Sequence, residues 1–165
     1  ERRYEVAHRG WLGMTAFDTA WKIMKAPFHG TDSDSAAEIL SHGMNPNSFA
    51  AGYEGEKGVP KETRTDEGEA MHDAWSYALA NVLASGKPST PSLLWVDPNH
   101  PAVRYKPDNR PGMAIAGLRG HLFSEDEIPR DAIEHVFDGD EYDPDGGETP
   151  EDYEARMIEM LEEVI

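Results

Sequence analysis

Phe28-His29-Gly30-Thr31, followed at once by Asp32-Ser33-Asp34-Ser35-Ala36-Ala37-Glu38-Ile39-Leu40-Ser41-His42-Gly43-Met44, decides how the rest of this chain is read. The first four residues end a short apolar run and suit a strand. In a strand, side chains two apart share a face, so His29 and Thr31 point the same way. Gly30 between them has no Cβ and lets a ligand or another backbone come close. Asp32 or Ser33 then caps a helix that buries Ala36, Ile39 and Leu40 and closes at Gly43. An imidazole, a hydroxyl and a bare backbone at one strand end predict a pocket for a polar small molecule.

Upstream, Thr15 reads as an N-cap, and Phe17, Ala20, Trp21 and Met24 recur at helical spacing until Pro27 stops the helix. Downstream, residues 45 to 65 are rich in Gly, Asn, Lys and Glu and read as a long loop, with a weak edge strand within Val59 to Thr65. A helix is expected from about Asp66 to Ala84, with Ala70, Ala74, Tyr77 and Ala78 along one face. Ser92-Leu93-Leu94-Trp95-Val96-Asp97 is apolar enough for a central strand. Ala102 to Lys106 offers a further strand, and Met113 to Phe123 is a mixed apolar segment. Ile128 to Ile133 reads as a turn or short helix, and Glu134 to Phe137 as a last strand. Asp138 to Gly147 is an acidic linker. Thr149-Pro150-Glu151-Asp152 then opens an amphipathic helix carrying Tyr153, Met157, Met160, Leu161 and Val164. The pattern is α+β. It divides into an N-terminal arm and helix (1–27), a central domain (28–137), and an acidic linker with its C-terminal helix (138–165).

Asp and Glu number 32 against 15 Lys and Arg, for a formal net charge of -17. That sign repels phosphate backbones and anionic membrane surfaces. The excess is spread along the chain, which suits a halophilic protein or one from a virus of a halophile. The chain has no cysteine, so thiolate chemistry and disulfides are excluded. No H-E-x-x-H or similar spacing predicts a metal. Asp138, Asp140, Asp143 and Asp145 lack the glycine and final glutamate of a calcium loop and read as a solvated linker.

In order and spacing, three blocks resemble the ADP-ribosyltransferases, the split-β family that uses NAD. The first is Phe28 to Thr31 with Ala37 to Met44. The second is Thr65-Asp66-Glu67 leading to Ala74-Trp75-Ser76-Tyr77-Ala78, then Pro91 to Asp97. The third is Gly120-His121-Leu122-Phe123-Ser124-Glu125-Asp126-Glu127-Ile128-Pro129-Arg130-Asp131-Ala132-Ile133. Together they span residues 28 to 137. The resemblance implies a split β-sandwich with flanking helices and NAD as the substrate. It places His29, Gly30 and Thr31 against the ribose and carboxamide, and a residue such as Thr63 or Thr65, with Tyr53 or Tyr77, beside the nicotinamide. The family's catalytic Glu falls at His121 here, with Arg119 two residues earlier on the same strand face. An imidazole can hold a ribose hydroxyl but adds no negative charge. Glu125 and Glu127 take that place only if the strand register differs by several residues. The related tRNA 2′-phosphotransferases use His and Arg instead of the Glu, and Arg104, Arg119 and His121 are the basic residues available for such a role.

The resemblance thus implies a catalytic pair, His29 and His121, with Gly30, Thr31, Thr65, Tyr77 and Arg119 binding NAD. ADP-ribose would pass to a protein or nucleotide acceptor in the cytoplasm or in a virion. Blander readings stand beside these. His29 suits a structural role at a strand end, Thr31 a helix cap, and Tyr77 the core. The whole chain also suits a degenerate member serving as an assembly component of a viral particle, docked through the C-terminal helix.

Overall fold

A computed structural model describes residues 27–46, 48–51, 67–107 and 121–164. The elements run β1 (Phe28–Asp32), α1 (Ser33–His42), β2 (Ser48–Ala51), α2 (Glu67–Ala84), β3 (Pro91–Val96), β4 (Lys106–Pro107), β5 (His121–Ser124), a 3-10 turn (Arg130–Ala132), β6 (Ile133–Asp138) and α3 (Pro150–Val164). The helix expected before Pro27, the edge strand expected within 59–65, and most of the segment from Met113 lie outside the described residues. The fold is α+β: the six strands form one antiparallel sheet in the order β4-β5-β2-β1-β3-β6.

Local signals account for most of these elements. Asp32 is the cap of α1: its carboxylate accepts from the Ser35 amide at 2.8 Å and from the Ser35 hydroxyl at 2.9 Å. Thr31 is therefore a strand residue and not the cap. Gly43 ends α1 at φ 86°, a conformation that favours glycine, and its N–H reaches the Ile39 carbonyl. Thr149 caps α3 by accepting from the Asp152 amide at 3.1 Å, with Pro150 in the first turn. The stretch read as one loop from 45 to 65 instead contains β2. It is only four residues long, and its partner β5 lies some seventy residues away in sequence, so no local pattern marks it.

The sheet has two cores because β3 is apolar on both faces. Leu93 joins Phe28, Val136 and Phe137 under α2 and α3, together with Met71, Ala74, Trp75, Ala78, Leu79 and Val82. Leu94 and Val96 face the other way, onto Ala36 of α1, Met44, Ile128, Ala132 and Ile133. Full burial of each large side chain of this kind stabilises the fold by about 1.5–3 kcal/mol. A bulge between Leu93 and Leu94 shifts the β6 register, so that Val136 and Phe137 both serve the first core.

The acidic stretch after β6 is tied down. Gly139 N–H donates to the Pro91 carbonyl at 2.9 Å, and Ser89 and Tyr142 exchange both backbone bonds at 3.0 and 2.7 Å. Arg156 pairs with Asp140 and Glu148. Tyr153, Met157, Met160 and Leu161 of α3 lie in the same core as Phe28, and the Trp75 indole N–H donates to the Met157 carbonyl at 3.0 Å. The apolar face of α3 is thus packed inside its own chain, and its outward positions carry Glu151, Asp152, Glu154, Glu159, Glu162 and Glu163.

Candidate functional site

The strand β1 sits at the middle of the sheet, and its two edges differ. Toward β3 it is registered from Phe28↔Trp95 to Asp32↔Pro91. Toward β2 the register among the described residues is a single pair, Phe28↔Ala51. The two strands part from there, leaving a split in the sheet that opens along His29, Gly30 and Thr31.

Hydrogen bonds just beyond β1 fix which way its backbone turns. The Val96 N–H donates to the Pro27 carbonyl at 3.1 Å, and the Ser33 N–H donates to the Thr90 carbonyl at 2.7 Å. Antiparallel ladders alternate, so Pro27, His29, Thr31 and Ser33 direct their backbone groups to β3, while Phe28 and Gly30 direct theirs away from it. Phe28 uses that direction for β2. The N–H and C=O of Gly30 face the split.

The faces follow from the register. Gly30 lies on the α2 face, opposite Leu93, and is pressed against the helix backbone: a Cβ there would overlap the Ala74 carbonyl and crowd the Ala78 amide. The missing side chain therefore admits another backbone, that of α2, while its own peptide edge stays toward β2. His29 and Thr31 lie on the opposite face, in rows with Leu94 and Ser92. His29 is half-buried and Thr31 is only 6% exposed.

Tyr77 is a half-buried residue of α2. Residues advance about 100° around a helix, which puts Tyr77 on the flank away from Trp75 and Leu79, the flank that meets α3. The backbone of His121 is level with Ala51, and through it with Phe28, two strand spacings or roughly 10 Å from β1. By this register His121 belongs to the row of Ala51 and Phe28 on the α2 face, whereas His29 belongs to the opposite face, so the sheet does not bring the two expected catalytic positions together. Thr63, Thr65, Tyr53 and Arg119 lie outside the described residues.

Continuing the Phe28↔Ala51 register sets Ser48 level with Thr31 across the split. Ser48 lies three positions from Ala51, an odd offset, so it falls on the face of His29 and Thr31. Its Oγ is buried and has no hydrogen-bond partner among the described residues. An unpartnered buried hydroxyl costs about 1–3 kcal/mol.

Farther along the same face, Ser92 is fully buried and donates to Asp138 Oδ1 at 2.6 Å, and His135 Nε2 meets the same oxygen at 2.8 Å. Burial alone would raise the Asp138 carboxyl; the hydrogen bonds from His135 and Ser92 and the imidazole's charge outweigh it and hold the group below the usual carboxylate range. These three residues are not a nucleophile relay, because the serine proton goes to the carboxylate and not to the imidazole. At the far edge of β6 the Glu134 carboxyl is pushed up by burial and by neighbouring Asp97. Among the described residues no group of three or more His, Asp or Glu is placed to hold a metal ion.

Neither the Ser92–Asp138–His135 cluster nor Ser48 was visible in the sequence. The cluster assembles across β3 and β6, and Ser48 is a lone serine in a segment rich in Gly and Asn. Compared with family models, with curated proteins and with solved structures, the chain shows no match.

Proposed function

We propose that the split between β1 and β2 binds NAD and that the protein transfers ADP-ribose from it to an acceptor. One observation carries this reading. At a single point in the sheet, two neighbouring strands separate, a glycine peptide edge turns into the gap, and an imidazole and a hydroxyl flank it on one face. A peptide N–H and C=O side by side match the donor and acceptor of a carboxamide. His29 would orient the nicotinamide ribose. The bond from ribose C1′ to the nicotinamide nitrogen breaks with its electron pair going to nicotinamide. The acceptor's nucleophile bonds C1′ and gives up its proton. The site's contribution is positioning and electrostatic support of the cationic centre.

Isothermal titration with NAD tests this. Heat at micromolar ligand is expected, and it is lost in His29→Ala. Covalent self-labelling from radiolabelled NAD is the complementary readout for transfer. A wild-type protein silent toward NAD in both low and high salt, and unlabelled, ends the reading.

A further inference from the structure

Sulfur is the chemistry that the proposed site leaves unused. The chain carries seven methionines and no cysteine, so reversible oxidation of sulfur falls to methionine alone. Four of the methionines lie among the described residues. Met44, Met71 and Met157 are at most 2% exposed, and Met160 is 6% exposed. Met160 and Met157 line a cleft of about 210 Å³ that opens to solvent along α3, rimmed by Asp140, Arg156, Glu159 and Glu163. Met157 is closed off there: its sulfur accepts the Asp140 N–H at 3.4 Å, and its side chain has no exposed surface. Among the described methionines, Met160 combines residual exposure with an open cleft beside it.

We propose that Met160 is an oxidation site, converted to its sulfoxide by hydrogen peroxide that enters this cleft. A lone pair on the thioether sulfur attacks a peroxide oxygen, the O–O bond breaks, and a proton shift releases water. Sulfur is oxidised by two electrons, and the peroxide is reduced by the same two. Peroxide is uncharged, so the acidic rim does not repel it, whereas the same carboxylates disfavour anionic oxidants. The product is polar where the reactant was apolar. Met160 packs in the core that joins α3 to Trp75, Leu79 and Val82 of α2, and a sulfoxide oxygen turned into that core has no water to bond. Turned outward, it meets acceptors. Glu159 and Glu163 present carboxylates, and Arg156 already donates from Nε, Nη1 and Nη2 to Glu148 and Asp140. Either way oxidation weakens the hold of α3 on α2, and reduction by a methionine sulfoxide reductase restores it.

The test exposes the whole folded chain to hydrogen peroxide, maps each sulfoxide by peptide mass spectrometry and follows the thermal midpoint. Met160 should oxidise roughly tenfold faster than Met44, Met71 and Met157. The midpoint should fall by several degrees in step with Met160 sulfoxide and recover on treatment with the reductases. Met160→Leu keeps the side-chain volume and should hold its midpoint through the same exposure, whereas Met157→Leu should still lose it. Oxidation of Met160 no faster than that of Met44 and Met71 overturns the proposal, as does a midpoint unchanged by full conversion of Met160. A Met160→Leu protein that loses as much under peroxide as the wild type overturns it too and moves the effect to another methionine. The rate comparison is made on the wild-type chain, so it decides the matter even if a variant fails to fold.

Discussion

Along one edge β1 is registered with β3 over its whole length, whereas along the other, among the described residues, it is registered with β2 at Phe28 alone. The β3 side is finished structure: two cores, one on each face, and a helix backbone lying directly on Gly30. The β2 side carries backbone and side-chain polar groups at a gap. Substitutions on the closed side should therefore change stability, and substitutions at the gap should change binding with little effect on stability.

The largest effect is expected at Gly30. Gly30→Ala sets a methyl against the Ala74 carbonyl, and two backbones cannot yield as a side chain can. The loss should reach or exceed the upper end of the overpacking range, about 3 kcal/mol, and guanidinium denaturation should show a large fall in midpoint. A Gly30→Ala protein with the wild-type midpoint would mean that α2 does not rest on β1. His29→Ala sharpens the contrast from the other side: it lies one residue away, yet should lower the midpoint far less than Gly30→Ala and lose the NAD response.

A smaller effect, graded by pH, is expected at Asp138. Its carboxyl is held below the ordinary range in the folded protein. Its stabilising share is therefore complete above about pH 4 and is lost as pH falls through the lowered native value. Asp138→Asn lacks that share, so the midpoint gap between wild type and variant should narrow from pH 6 to pH 2. A gap that is constant across this range would show that the carboxylate's charge is not what Ser92 and His135 hold in place. The smallest effect belongs to Arg156. It reaches Asp140 at 2.6 Å and Glu148 at 3.0 Å and lies over the Tyr153 ring at 5.7 Å, but the charged groups are themselves partly in solvent. Arg156→Ala should lower the midpoint slightly in dilute buffer, and the difference should fade in 1 M salt.

The elements recoverable from the sequence were those with their own punctuation. Asp32 and Gly43 bracket α1, Thr149 and Pro150 open α3, and the unbroken apolar run at Leu93 and Leu94 marks a central strand. The strand β2 had no such signal, because Ser48–Ala51 is defined by partners in β1 and β5 and not by its own periodicity. The site divides in the same way. That His29 and Thr31 share a face follows from strand geometry alone. Gly30's openness to another backbone also followed, but only the packing reveals that the backbone is α2. Ser48 depends on where two strands part, and the Ser92–Asp138–His135 cluster depends on a bulge. Both are properties of pairing and have no local trace.

The handclasp between Trp75 and Met157 also sets an order of events at synthesis. The indole lies on α2 and its acceptor on α3, 82 positions later, so the hydrophobic interior cannot close until α3 has cleared the ribosome. A nascent chain stalled before Tyr153 would present Trp75, Leu79 and Phe137 to chaperones and proteases, which makes emergence of α3 the step that lets this core close.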